Sequence, residues 1–116
     1  MPSLSEKEKE SLERMAEVLE KIQFFAEEVA DWPELEKDEL RLDAILMNFI
    51  VLGECIIRLS ERFLENHSQI EWSKIKALRN IVAHDYWGVD VEMVWQIVQN
   101  NLPVLSLQIS EIIKYS

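Results

Sequence analysis

One cysteine, two glycines and three prolines in 116 residues leave little material for several kinds of protein. Cys55 has no second cysteine with which to close an internal disulfide, and its place in an apolar helical run reads as a buried, inert thiol. So few glycines and prolines are far too few for a turn-rich β protein. Two histidines and one cysteine without metal-ligand spacing argue against a metal centre or any bound cofactor. The acidic stretch 34–39 lacks a calcium-loop pattern and reads as a solvated turn and helix start. Long hydrophobic runs are missing too. The longest, Ala44 to Ile57, is broken by Asn48 and Glu54 and falls short of the roughly 20 residues a spanning helix needs. Met1 is followed by Pro2, Ser3 and an acidic helix in place of a basic region and an apolar segment, so no secretory signal is visible and a cytoplasmic location is expected.

Positive charge is also scarce, with a net charge of −10. The excess is uneven. Residues 1–40 hold 13 acids and 5 bases, and residues 41–116 hold 9 acids and 7 bases. Between Arg58 and Arg79 the balance reverses, with five bases against three acids, so a polyanion such as RNA would meet a small patch and not a broad basic face.

What remains is rich in Leu, Ile, Met, Glu and Lys, at helical spacing, and predicts a single all-α domain over residues 1–116. Ser5 and Glu8 have capping-box spacing, and Leu12, Met15, Leu19, Ile22, Ala26 and Val29 then form one stripe that ends near Asp31-Trp32-Pro33. A second helix is expected from about Asp38 to Glu65. Its middle, 45–52, is apolar nearly all round, more than one domain core can use, so it predicts a partner subunit and a homodimer. A third helix opens at Trp72-Ser73 with Ser73 as N-cap and ends around His84 to Tyr86. Asp90 caps a fourth, which Pro103 either kinks or divides, giving a fifth.

Arg79, His84 and Tyr86, within Arg79-Asn80-Ile81-Val82-Ala83-His84-Asp85-Tyr86, are the residues that point to chemistry. Arginine presents a planar fork of donors that matches a phosphate. Histidine can take and give a proton near neutrality. Asn80 and His84, four apart, share a helical face, whereas Arg79 and His84, five apart, lie about 140° around an ideal helix. Either the helix unwinds just before His84, or the site spans a groove between two copies of the helix. The bland alternatives are a histidine serving as a dipole partner at a helix end and a tyrosine that only packs. His67 reads as a solvated loop residue, and Trp32, Trp72, Trp87 and Trp95 read as core and loop anchors, with Trp87 the one worth testing as a base-stacking platform.

The pattern Arg-x-x-x-x-His-x-Tyr, with a polar residue directly after the arginine, resembles the signature of the HEPN superfamily and specifically of HepT-type toxins. Leu52-Gly53-Glu54, Ile70-Glu71-Trp72, Val89-Asp90, Val94-Trp95 and Asn101-Leu102-Pro103 look like further landmarks in the expected order, over roughly residues 38–113. The resemblance implies an up-down bundle of four to five helices, homodimeric, acting as a metal-independent endoribonuclease toxin whose active site is the dimer cleft. Arg79 and His84 would then be catalytic, Asn80 would support them, and Tyr86 would accept AMP from the antitoxin, a minimal nucleotidyltransferase of the MntA type. Glu54 matches the family's acidic second-helix residue and is given no catalytic duty. Asp85 places a negative charge beside the site that could weaken RNA binding. Two other classes stay open: a module that binds nucleotide or RNA without cutting it, and a plain helical partner of a nucleotidyltransferase.

Overall fold

In the computed structural model, which describes residues 4–115, every regular element is helical and no strand occurs among the described residues. Helix α1 spans Glu6–Glu27, α2 Trp32–Lys37, α3 Glu39–Ile57, α4 Glu61–Asn66 and α5 Trp72–His84. A 3₁₀ turn at Tyr86–Gly88 leads to α6, Val91–Gln96, which passes through a π-helical segment, Ile97–Asn101, into α7, Leu102–Tyr115. Helix α1 packs on α3 and α7, and α3 packs on α5, so α3 has neighbours on both sides. Its buried face, Ile45, Leu46, Phe49, Leu52 and Ile56, meets the α1 stripe of Leu12, Met15, Val18, Leu19 and Ile22 in one continuous core. No helix among the described residues is long and apolar enough to cross a membrane.

The start of α1 is as its residues predict. Glu8 N–H donates to the Ser5 hydroxyl, and Ser5 N–H donates back to the Glu8 carboxylate. The second Glu8 oxygen accepts from the Ser60 hydroxyl at 2.9 Å, tying the start of α1 to the start of α4.

Four expectations are corrected. The helix expected over 38–65 is two helices. It stops at Ile57, and Ser60 starts α4 afresh by accepting from Phe63 N–H at 3.1 Å, a local cap that competes with continuation. Of the acidic stretch read as a solvated turn and helix start, Glu39 does start α3, but the turn is largely α2, where Asp31 caps Glu34 N–H and Pro33 occupies the first turn, the one place in a helix where its missing N–H costs nothing. Ser73 is not an N-cap. Helix α5 begins one residue earlier at Trp72, whose indole N–H donates to the His67 carbonyl at 3.0 Å. That loop is therefore anchored, and the His67 ring packs 4.5 Å from the Phe63 ring, so His67 is half-buried and not merely solvated.

The division expected at Pro103 is present, as α7 starts at Leu102 after a π-helical interruption. The π segment ahead of it, closed by Leu102 N–H donating to the Ile97 carbonyl, loosens the ladder by one residue and places the proline in the first turn of α7.

Candidate functional site

Helix α5 buries Leu78 and Val82 and so turns Arg79 toward the edge of α3. Room for the arginine stem exists because α3 has glycine opposite it. A Cβ built on Gly53 would lie 2.4 Å from Arg79 Cβ and 2.5 Å from its Cγ, far inside van der Waals contact. The next residue of α3 holds the head group. Arg79 Nε and Nη2 both donate to Glu54 Oε1, at 3.0 and 2.5 Å, and Nη1 donates to Asn80 Oδ1 at 3.0 Å. Of the five N–H bonds of a guanidinium these use three, one on each nitrogen, and leave one on each terminal nitrogen for an anion. Sequence reasoning assigned Glu54 no duty; its place is to aim Arg79.

His84 is the last residue of α5 and is exposed, its imidazole having no hydrogen-bond partner among the described residues. The helix does not unwind ahead of it. Asp85 N–H still donates to the Ile81 carbonyl at 3.0 Å, so the α ladder runs through His84. One of the two arrangements considered for Arg79 and His84 is thereby removed: on this continuous helix they stay about 140° apart, while Asn80 and His84 share a face. A single chain does not aim the guanidinium and the imidazole at one point.

Immediately after the helix, the Asp85 side chain caps Gly88 N–H at 3.2 Å and holds the 3₁₀ turn that carries Tyr86 and Trp87. Asp85 thus has a structural task that its charge alone did not reveal. The Tyr86 hydroxyl donates to Asp43 of α3, a residue that sequence reasoning missed. Burial of the phenol, reinforced by the hydrogen bond to Asp43 and its charge, pushes the Tyr86 pKa up to about 12. Trp87 is no anchor. It is 95 % exposed, its nearest aromatic neighbour being Tyr86 in an edge-to-face contact at 5.6 Å.

Asp43 and Glu54, eleven residues apart, lie on one face of α3 about 16 Å from each other. Between and beside them on that face, at three- and four-residue spacing, stand the exposed Leu40, Met47 and Ile57. Within the stretch 45–52 expected to carry the surplus, only Met47 is exposed, because α1 and α5 take up the rest; the exposed apolar residues of this face otherwise lie outside that stretch, and the face is the one that holds Arg79 and Tyr86.

Two clefts, of about 270 and 370 Å³, lie elsewhere: between α1 and the α6–α7 rod, and between α5 and α7. Neither is lined by Arg79, His84 or Tyr86. No three His, Cys, Asp or Glu side chains among the described residues are grouped to hold a metal ion. Cys55 is buried, and burial pushes its thiol pKa up, which keeps it protonated and unreactive.

Residues 12–112 match the family model described as "Ribonuclease HepT-like". The chain belongs to the HepT-like family. Among its relatives, "Probable ribonuclease HepT" of Thermococcus cleftensis is 29% identical over 97 residues, covering 84% of this chain and 87% of that protein. "Putative RNase TTE0752" of Caldanaerobacter subterraneus is 27% identical over 99 residues, 84% of this chain and 88% of the relative. "Putative RNase MJ0127" of Methanocaldococcus jannaschii is 35% identical over 81 residues, 70% of this chain and 67% of the relative. No solved structure matches the chain. The HepT-like match spans α1 to α7 and so includes both the Arg79–Glu54 cluster and the exposed α3 face.

Proposed function

We propose that this HepT-like chain is a metal-independent endoribonuclease, the toxin of a toxin–antitoxin pair, working as a homodimer. One observation carries the reading: the apolar residues left exposed on α3 share a face with the two carboxylates that hold Arg79 and Tyr86. A second copy covering Leu40, Met47 and Ile57 brings its own Arg79 and His84 to the same groove. The 140° that separates guanidinium from imidazole on one helix is then no obstacle, because cation and base come from facing helices.

In that groove the substrate supplies the nucleophile. The ribose 2′-hydroxyl attacks the adjacent phosphorus, the 5′-oxygen leaves, and the product is a 2′,3′-cyclic phosphate. His84 moves the proton, a contribution of about 10²- to 10⁴-fold in rate for such a group. Arg79, held from behind by Glu54, offers its two unspent N–H bonds to the non-bridging oxygens as their charge grows. Asn80 steadies the guanidinium from the side. Neither step needs a metal.

Tyr86 is the acceptor of AMP from a partner nucleotidyltransferase. The added phosphate places a negative charge beside the groove. Like charges about 5 Å apart at an effective dielectric near 20 repel by about 3 kcal/mol, before the bulk of the nucleotide is counted.

The test is cleavage of single-stranded RNA by the purified dimer in EDTA, with product ends identified by mass. Cleavage to cyclic phosphate that is lost in His84→Ala supports the reading. Binding without cleavage by the unmodified dimer favours a module that only holds RNA, and a chain that stays monomeric at micromolar concentration in light scattering removes the shared groove.

A further inference from the structure

Trp87 is the most exposed large hydrophobic side chain among the described residues, yet the turn that presents it is firmly built. Asp85 caps it from one end, Gly88 N–H donates to that carboxylate at a place where a Cβ would come within 2.2 Å of it, and Tyr86 is fastened to Asp43. An ordered turn that holds an indole in water keeps its flat apolar face ready for a ligand that would gain by covering it. Its neighbours along the chain are polar and acidic: Asp85, Gly88 and Asp90 flank it and are themselves exposed. Packing against another protein surface would bury those carboxylates. A flat, neutral group laid on the ring would not.

We infer that Trp87 is a nucleobase subsite, on which one base of a single-stranded RNA stacks beside the scissile linkage. The inference rests on the proposed placement of RNA at Arg79 and His84. Trp87 is three positions after His84, so their Cα atoms are at most about 11 Å apart, within reach of the nucleotides flanking the bond that breaks. Charge fixes the direction. Asp85 and Asp90 repel phosphates from the indole while Arg79 attracts them, so the strand lies with its backbone toward Arg79 and a base over Trp87. Stacking tolerates any base, and the subsite therefore gives register more than sequence preference.

The experiment measures binding of a short single-stranded RNA to the His84→Ala protein, which cannot cut it, with Trp87 intact, replaced by Phe, or replaced by Ala. A set of oligonucleotides lacking one base at a time accompanies it. Trp87→Ala is expected to weaken binding about 5- to 100-fold, Trp87→Phe to keep most of the affinity, and one abasic position to erase the difference between the Trp and Ala proteins. Equal affinity for all three proteins, or a loss that no abasic position erases, overturns the inference. So does a Trp87→Ala protein that loses affinity only because it dissociates into monomers in light scattering. If RNA binds with the expected abasic signature but the wild-type protein never cuts it, the ribonuclease reading fails while the subsite stands. If RNA is cut and Trp87→Ala changes nothing, the reverse holds.

Discussion

Gly53 lies so close beneath Arg79 that no other residue could occupy its place without moving the arginine. The contact is between a helix backbone and the stem of a charged side chain, and it brings α3 and α5 together at the point where Glu54 takes the guanidinium. Gly53→Ala is expected to destabilise the fold. Overpacking costs about 1–3 kcal/mol, against a gain of about 1 kcal/mol from alanine in a helix. Urea denaturation would show the lower midpoint, and RNA cleavage should fall further than stability because Arg79 is displaced.

Glu54 separates orientation from stability. The pair is partly exposed, so Glu54→Ala should lower stability by only about 0–1 kcal/mol. Its effect on cleavage should be much larger, up to about 100-fold, since an untethered guanidinium no longer meets the phosphate in one geometry. Glu54→Gln keeps an oxygen acceptor for Arg79 and should retain most activity. Equal losses in the two variants would show that the charge, and not the acceptor, is what counts.

The bond from Tyr86 to Asp43 predicts an alkaline transition. The folded phenol titrates at about 12, above the roughly 10 of an unfolded chain. Its stabilising contribution is therefore complete below pH about 10 and is lost as pH rises from there toward 12. Ultraviolet difference titration of wild type against Tyr86→Phe should isolate this phenol. Asp43→Asn should lower its midpoint without bringing it fully to the unfolded value, because burial, the largest cause, persists.

Asp85 has two consequences of opposite sign. Its side chain caps Gly88 N–H, so Asp85→Ala should cost about 1 kcal/mol in thermal or urea unfolding. Asp85→Asn keeps the capping oxygen and removes the charge, so stability should hold while RNA affinity rises, most visibly at low salt. An unchanged affinity would place the carboxylate too far from the strand to matter.

The all-helical fold was legible from spacing because periodic stripes and local caps, such as Ser5 with Glu8 or Asp90 over Met93 N–H, act within one turn of chain, whereas Arg79, His84 and Tyr86 stood out by side-chain chemistry and by resemblance. What escaped were choices between two local signals and pairings across helices. Ser60 carried a cap in the middle of a convincing apolar stripe, and the cap prevailed. Asp43 is indistinguishable in sequence from any exposed acid, because its partner Tyr86 comes 43 residues later. The exposure of Trp87 likewise depends on the turn fixed by Asp85, which residue type does not announce.

The wide turn at 97–101 decides what the rod from Val91 to Tyr115 can touch. Val91, Val94, Val98, Leu102, Leu105 and Ile109 recur at ordinary helical intervals, yet α6 lies against α2 while α7 lies against α1. Underwinding at the π segment swivels the stripe between the two supports. Deleting a single residue there would restore a uniform coil, set the Pro103 ring against the preceding turn, and swing Leu105 and Ile109 off the helix they now seal.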